Sequence, residues 1–437
     1  MISADRRHEH HRAAAAVAYV KSRLAMHPEL ALLPFLLVFV AVPLLAPANS
    51  NLYDDEAGYV GLAKYLSAGH YLSGRDDLVG GGPAYPNLWF GPGLPLVLTP
   101  FVALHLPLTV IRLLGPVFLF GAVVLFYRLL RLAVPEKSAL VGAAALGLYV
   151  PLYTVIAFVH SEALAVLLVV AAMYATALYL RDGRRLQLFA AAGSLAWLAL
   201  TRIAFGWVLA ILLGAYLLAW AVRRSQALRR LVVVQVLALA LCTPWLAYTY
   251  SVTGKGFYWG SSGALSLYWM SSPYSGDRGD WHGADSVFED ASLAPHRPFF
   301  RSLAGLDLNA QNSKLEHAAV SNIRHHPFKF VRNVVDNVSR MVFNTPYSFK
   351  GPKPTTLVYA IPGGLLIAGL LASMVRALLR RRALPIEASA LGAFAAATIA
   401  LHAVLSGYPR LLLPIVPVAI WLVVVCWSPK PAGGVRV

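Results

Sequence analysis

Acids are scarce in this chain: 20 aspartates and glutamates stand against 37 lysines and arginines in 437 residues. Three of them are consecutive, in Tyr53-Asp54-Asp55-Glu56-Ala57-Gly58-Tyr59, directly after a strongly apolar stretch. Crowded carboxylates disfavour one another's ionisation, which makes one of them a better base near neutral pH. Such a base takes the proton from a hydroxyl as that hydroxyl attacks an electrophilic carbon. If the leaving group is a phosphate, a guanidinium suits its developing charge. Asp54, Asp55 and Glu56 are equally suited to hold a divalent cation, Mg or Mn, against that phosphate. The residues alone leave a bare base and a metal both open.

What must position these groups is a membrane bundle. The chain is 58% hydrophobic and 13% charged, with a mean hydropathy of +0.62. Several stretches approach the roughly 20 apolar residues that cross hydrocarbon. The expected spans are 29–48, 108–130, 138–158, 161–181, 186–201, 203–222, 230–250, 356–377, 384–404 and 411–428. The first follows a basic tail, 1–28, lacks a small-residue cleavage site and reads as a retained signal anchor. With the N-terminus inside, every short basic loop falls on the cytoplasmic side, including Arg128–Lys137, Arg181–Arg185, Arg223–Arg230 and Arg376–Arg382. The net charge of +17 is therefore mostly topology, and nucleic acid is not an expected partner. The His8, His10 and His11 cluster belongs to a solvated tail. Cys242 and Cys426 lie inside different spans and predict no disulfide.

Two long outer loops remain. In the first, 49–107, a helix is expected near 55–67 and a Gly/Pro-rich turn region at 80–95. Gly91–Leu106 carries Pro92, Pro95 and Pro100 and reads as an interfacial or re-entrant piece, because a span there would invert every later loop. The second, 251–355, opens with the aromatic pairs Tyr258-Trp259 and Tyr268-Trp269. A helix is expected from Ser313, where Ser313 and Glu316 match a capping box, and Pro327 interrupts it. Beyond it, Phe328, Val331, Val335, Val338 and Val342 share one face, with Arg332, Asp336 and Arg340 on another. That pattern predicts a helix lying on the membrane surface.

This topology puts further costly residues beside the acids. Ionisable groups at membrane depth cost about 2.5–3.5 kcal/mol on insertion scales and mark function. Glu162, Arg202 and Arg410 all fall at the outer ends of spans, on the side of Asp55. None of the three was needed to choose the orientation.

Six segments then resemble one family in order. Tyr53–Tyr71 is similar to the first outer loop of the GT-C glycosyltransferases. The nearest branch is that of protein O-mannosyltransferases, lipid A aminoarabinose transferases and Rgt-type enzymes. Phe90-Gly91-Pro92-Gly93-Leu94-Pro95 resembles their Pro-Pro-Gly-Tyr-Pro stretch. Ser161-Glu162, Leu200-Thr201-Arg202 and Pro244-Trp245 resemble their Ser-Glu, Leu-Thr-Arg and Pro-Trp. Tyr408-Pro409-Arg410-Leu411-Leu412-Leu413-Pro414 resembles their Arg-Tyr-Leu-Leu-Pro. The resemblance implies that Asp55 is the catalytic base, with Asp54 and Glu56 as supporting acids or metal ligands. A departure is that Tyr248 and Thr249 stand where members often carry Arg-Asn, so Lys255 is a candidate to replace that basic contact.

The expectation is an all-α polytopic bundle of about ten spans, GT-C-like, divided into the tail, a catalytic module 29–250, the loop 251–355, the spans 356–428 and a cytoplasmic tail 429–437. The expected reaction moves a sugar from a polyprenyl-phosphate donor to a lipid, glycan or protein acceptor outside the cytoplasmic membrane, with inversion. Arg410, Arg202 and Lys255 are candidates for the donor phosphate. Tyr59, Glu162, Tyr258, Trp259 and Tyr408 are candidates for substrate contacts. A transporter or flippase, and an O-antigen polymerase or ligase, are the alternatives. The former predicts charges along a continuous path, and the latter relies on loop arginines without an acidic corner.

Overall fold

The computed structural model describes residues 27–46, 52, 55–71, 88–380 and 385–429. Asp54, residues 1–26 of the basic tail and residues 80–87 of the turn region lie outside the described residues. Within them the chain is helical, with 3-10 turns and a single isolated bridge between Tyr347 and Lys350. Seven helices are long and apolar enough to cross a membrane, or eight if the pair Gln226–Leu241 and Thr243–Thr253, bent by 47°, is one span. Pro244, which has no N–H to donate, stands at that break. This is a multi-pass membrane protein.

The ten expected spans each correspond to a helical element, but two are short. Glu136–Gly147 has 12 residues and Arg185–Thr201 has 17, or about 18 and 26 Å of helix against a hydrocarbon core of about 30 Å. The expected span 138–158 ends early because the chain tightens into the 3-10 turn Val150–Thr154, with Pro151 near its start. The bundle is centred on Ser161–Asp182, which packs between Arg185–Thr201 and Leu114–Arg131. The central span buries Ala163, Ala165, Ala172 and Ala175, and its neighbour Arg185–Thr201 buries Ala191, Ala192, Ala196 and Ala199. Small residues at such seams let backbones approach closely, which is how helices associate where lipid removes the hydrophobic drive.

The first outer helix is Asp55–Ser67, and it packs on the 11-residue helix Gly93–Ala103. The latter is too short to cross, as expected for an interfacial piece. In the second outer region, helix Ser262–Met270 sits on Leu308–His325 over a separate core that includes Tyr268, Trp269, Phe300 and Leu315. The helix expected to start at Ser313 in fact starts at Leu308. The Asp307 carboxylate accepts from Ala310 N at 2.8 Å and caps it there.

Helix Pro327–Phe343 is inverted relative to a helix in water. Phe328 is 90% exposed and Val335 62%, while Asn333, Asn337 and Arg340 are fully buried. Arg340 donates to the carbonyls of Pro346 and Arg278 and to Asn337 Oδ1 at 2.6–2.8 Å. An outward apolar face and a satisfied polar inner face suit a helix in contact with lipid.

Candidate functional site

At one end of the bundle several helix termini converge on a cavity of about 440 Å³. Asp55 opens its helix, Ser161 and Glu162 open the central span, and Thr201 and Arg202 close the next. His402 lies in the last turn of Ile386–Leu405, with Tyr408 and Arg410 just beyond it. All of these line the cavity, together with Tyr59, Trp89, Ser262, Ser266 and Trp281.

Local packing explains why glycines recur in the loop over the cavity. A Cβ on Gly91 would lie 2.0 Å from Leu200 O, and one on Gly93 2.4 Å from Thr201 Oγ1. Backbone meets backbone there, so the Phe90–Pro95 stretch fixes where Thr201 and Arg202 sit. On the other side, Asn337 Nδ2 donates to the carbonyls of His402 and Ala403 at 3.0 Å each. It thereby satisfies acceptors that a helix end leaves open, and the lipid-facing outer helix holds the His402 wall in place.

The charged groups form a quartet. Arg410 Nη1 donates to Asp55 Oδ2 at 2.7 Å, although 355 positions separate the two. Arg202 Nη1 donates to Glu162 Oε1 at 2.7 Å and to Ser161 Oγ at 3.2 Å. Arg410 Nε is 4.0 Å from Glu162 and links the pairs. Their exposures separate their roles: the side chains of Glu162 and Arg202 are 3% and 11% exposed, those of Asp55 and Arg410 23% and 34%. Glu162–Arg202 is a fixed, buried pair, whereas Asp55–Arg410 faces the cavity's solvent.

Tyr59 packs against Phe90, the rings tilted by 52° with centroids 4.5 Å apart. Burial, then the charges of Asp55 and Glu162, push its phenol above the ordinary tyrosine range, so it stays a neutral hydroxyl. Tyr408 OH donates to Trp281 O and accepts from Trp281 N, both at 3.1 Å. Burial raises its phenol as well.

Several expected site residues are placed elsewhere. Glu56 does not line the cavity. It is fully buried and accepts from Arg112 Nε at 2.9 Å, Arg112 Nη2 at 2.7 Å and Val159 N at 3.0 Å. One residue of helical rotation separates it from Asp55, and that rotation turns it into the bundle. The expectation of Glu56 as a supporting acid or metal ligand is corrected on this geometry. Asp54 lies outside the described residues. Lys255 sits over the Tyr258 ring, 5.7 Å from its centroid, and is not in the cavity lining. Tyr258 and Trp259 are spent on packing. Asn312 Nδ2 donates to Tyr258 OH at 3.0 Å, Trp245 Nε1 donates to Trp259 O at 3.2 Å, and the buried Trp259 ring lies against Gly206. Aromatic pairs in a loop signal core as readily as sugar contact.

The structure adds His402, Trp89, Trp281, Ser262 and Ser266 to the site. Only His402 had a legible signal, as a titratable residue near the end of an apolar span. A second, mostly apolar cavity of about 70 Å³ lies among Val169, Met173, Leu212, Phe394 and Trp421 and holds none of the quartet.

Comparison with solved structures identifies the architecture. An oligosaccharyltransferase of Archaeoglobus fulgidus in its apo form superimposes with a TM-score of 0.52 at 15% identity, covering 90% of this chain and 50% of that one. The fold is GT-C-like. The same enzyme in complex with Zn and sulfate gives 0.52 at 18% identity, covering 90% and 48%. The oligosaccharyltransferase AglB from Archaeoglobus fulgidus, in complex with an inhibitory peptide and a dolichol-phosphate, gives 0.49 at 16% identity, covering 92% and 50%. The chain thus spans about half the length of these structures. No protein-family model and no curated protein matches the sequence.

The zinc complex prompts a test of whether the residues here suit a metal. Among the described residues no group of three His, Cys, Asp or Glu side chains is arranged to hold one. The two cavity carboxylates, Asp55 and Glu162, each lie 2.7 Å from a guanidinium. Among the described residues the donor set does not fit a cation, and arginine supplies the positive charge between the acids.

Proposed function

We propose that this chain is a GT-C-type glycosyltransferase that moves one sugar from a polyprenyl-phosphate donor to an acceptor on the outer side of the membrane. The observation that carries the reading is the Asp55–Arg410 pair, partly open to a cavity where several span ends meet. Asp55 takes the proton of the acceptor hydroxyl as its oxygen bonds to the anomeric carbon. The bond from that carbon to the phosphate oxygen breaks with its electrons, and Arg410, backed by Arg202, meets the charge that develops. One direct displacement inverts the anomeric centre.

The geometry adds an order of events. While Arg410 donates to Asp55 Oδ2, that oxygen is engaged by the guanidinium. An arriving phosphate competes for the same guanidinium, and Asp55 becomes a base only as the donor seats. Glu162 keeps Arg202 aligned from behind.

Transfer by the purified protein in lipid bilayers, from a panel of polyprenyl-phosphate sugars, tests the reading. Product of inverted anomeric configuration is expected. Retention, or no transfer from any donor on the panel, would overturn it.

A further inference from the structure

Beyond the quartet, the cavity has an uncharged wall with two buried nitrogens that find no partner among the described residues. His402 is 6% exposed and lines the cavity, and its Nε2 is one of them. Trp281 also lines it, and its indole Nε1 is the other. Buried polar atoms are ordinarily satisfied, and each orphan at a cavity wall points to a ligand group that completes it. The rest of this wall is of one chemistry. Trp89 meets Trp281 edge-on, with ring centroids 6.0 Å apart; Ser262 adds a hydroxyl, and Ser266, whose hydroxyl donates to Ser262 O at 2.9 Å, adds an acceptor. The pieces are tied together, since Ser261 N donates to Leu88 O at 2.9 Å.

Charge decides what this wall accepts. Among the described residues lining the cavity, the charged side chains are Asp55, Glu162, Arg202 and Arg410. Each is paired within that set. An aminosugar needs a carboxylate beside its ammonium and a uronic acid needs a guanidinium, or each is desolvated at a cost. Among the described lining residues neither is left once the phosphate and the base have theirs. Indole faces, indole and imidazole nitrogens and serine hydroxyls match the apolar faces and hydroxyls of a neutral sugar ring. The volume of about 440 Å³ lies within the range of small-molecule sites.

The geometry points to a neutral-sugar subsite built from Trp89, Trp281, Ser262, Ser266 and His402, which selects an uncharged hexose or pentose over amino and uronic sugars. This rests on the transferase reading and names the substrate class of the same site. The ring it seats belongs to the donor or to a sugar acceptor, and the test separates the two.

Calorimetric titration of the protein in nanodiscs would use three short-chain polyprenyl-phosphate donors carrying mannose, 4-amino-4-deoxyarabinose or galacturonic acid. Bare polyprenyl phosphate and methyl α-mannoside complete the set. Mannose-bearing ligand is expected to bind tighter than both charged forms by at least about ten-fold, the order of the cost of burying a polar group without its partner. Competition between the mannosyl donor and methyl mannoside assigns the wall to the donor, whereas simultaneous binding assigns it to the acceptor. Trp281→Phe removes the indole nitrogen while keeping a ring. A Cβ on Gly263, another lining residue, meets nothing within 4 Å, so Gly263→Leu fills the space without disturbing the fold. Trp281→Phe should weaken the mannose-bearing ligand by about ten-fold, Gly263→Leu should remove its gain over bare polyprenyl phosphate, and neither should change the binding of bare polyprenyl phosphate. Equal or tighter binding of a charged sugar, or mannose binding unchanged in both variants, would overturn the subsite. A neutral preference without transfer from any donor would leave the subsite standing and overturn the transferase reading instead.

Discussion

Replacing Glu56 by Gln separates structural from chemical roles within the acidic triplet. The side chain removes a charge that is 0% exposed, from a partner, Arg112, that is 5% exposed. Its two oxygens accept three hydrogen bonds of 2.7–3.0 Å. Breaking a buried pair by altering one partner costs about 3–5 kcal/mol, because the other charge is left uncompensated. The amide keeps an acceptor for Val159 N, so the loss is expected at the lower end, about 3 kcal/mol. Removing both charges, as in Glu56→Gln with Arg112→Met, abolishes the stranded guanidinium and should recover most of it. The assay is thermal unfolding in lipid nanodiscs, read by fluorescence-detected gel filtration, with transfer rates measured at equal folded fraction. The single variant should melt well below the native protein and the double variant near it, with transfer in the double variant within a few-fold. A double variant that melts normally yet transfers nothing would refute the reasoning and return Glu56 to the chemistry.

Three further outcomes follow from contacts around the cavity. Gly91→Ala places a Cβ 2.0 Å from Leu200 O; relief of that clash costs about 1–3 kcal/mol and displaces Arg202, so kcat/KM for the donor should fall at least ten-fold, and an unchanged value would show that the loop does not set Arg202. Arg410→Ala removes a charge-assisted hydrogen bond worth about 1.5–3 kcal/mol, which predicts a 10- to 150-fold weaker grip on bare polyprenyl phosphate by calorimetry; unchanged binding would take Arg410 off the phosphate. Val335, 62% exposed on the apolar outer face, should as Val335→Trp be quenched by lipids brominated on their acyl chains, and an unquenched indole would place that face in water.

The backbone frame was legible because it follows from periodicity and punctuation. The helix expected near 55–67 forms as Asp55–Ser67, and the apolar stripe from Phe328 is the exposed face of Pro327–Phe343. The pairings were not legible. Asp55 and Glu56 are chemically alike and adjacent, and only the packing of their helix sends one to the cavity and the other to Arg112. The aromatic pair at 258–259 failed as a substrate signal because burial depends on what docks over a loop, here Asn312 and Gly206. Trp281 was hidden for the converse reason: a lone tryptophan in an irregular segment has no period, and the backbone of Trp281 is held by Tyr408, 127 positions away.

The central claim is that Asp55 is the base of a direct displacement, and single-turnover transfer with Asp55→Asn tests it most directly. The account predicts that this variant binds bare polyprenyl phosphate more tightly than the native protein, because the anion that competes for Arg410 is gone, and loses about 10²–10⁴-fold in the transfer step, the worth of a general base. Transfer within a few-fold of the native rate would contradict it.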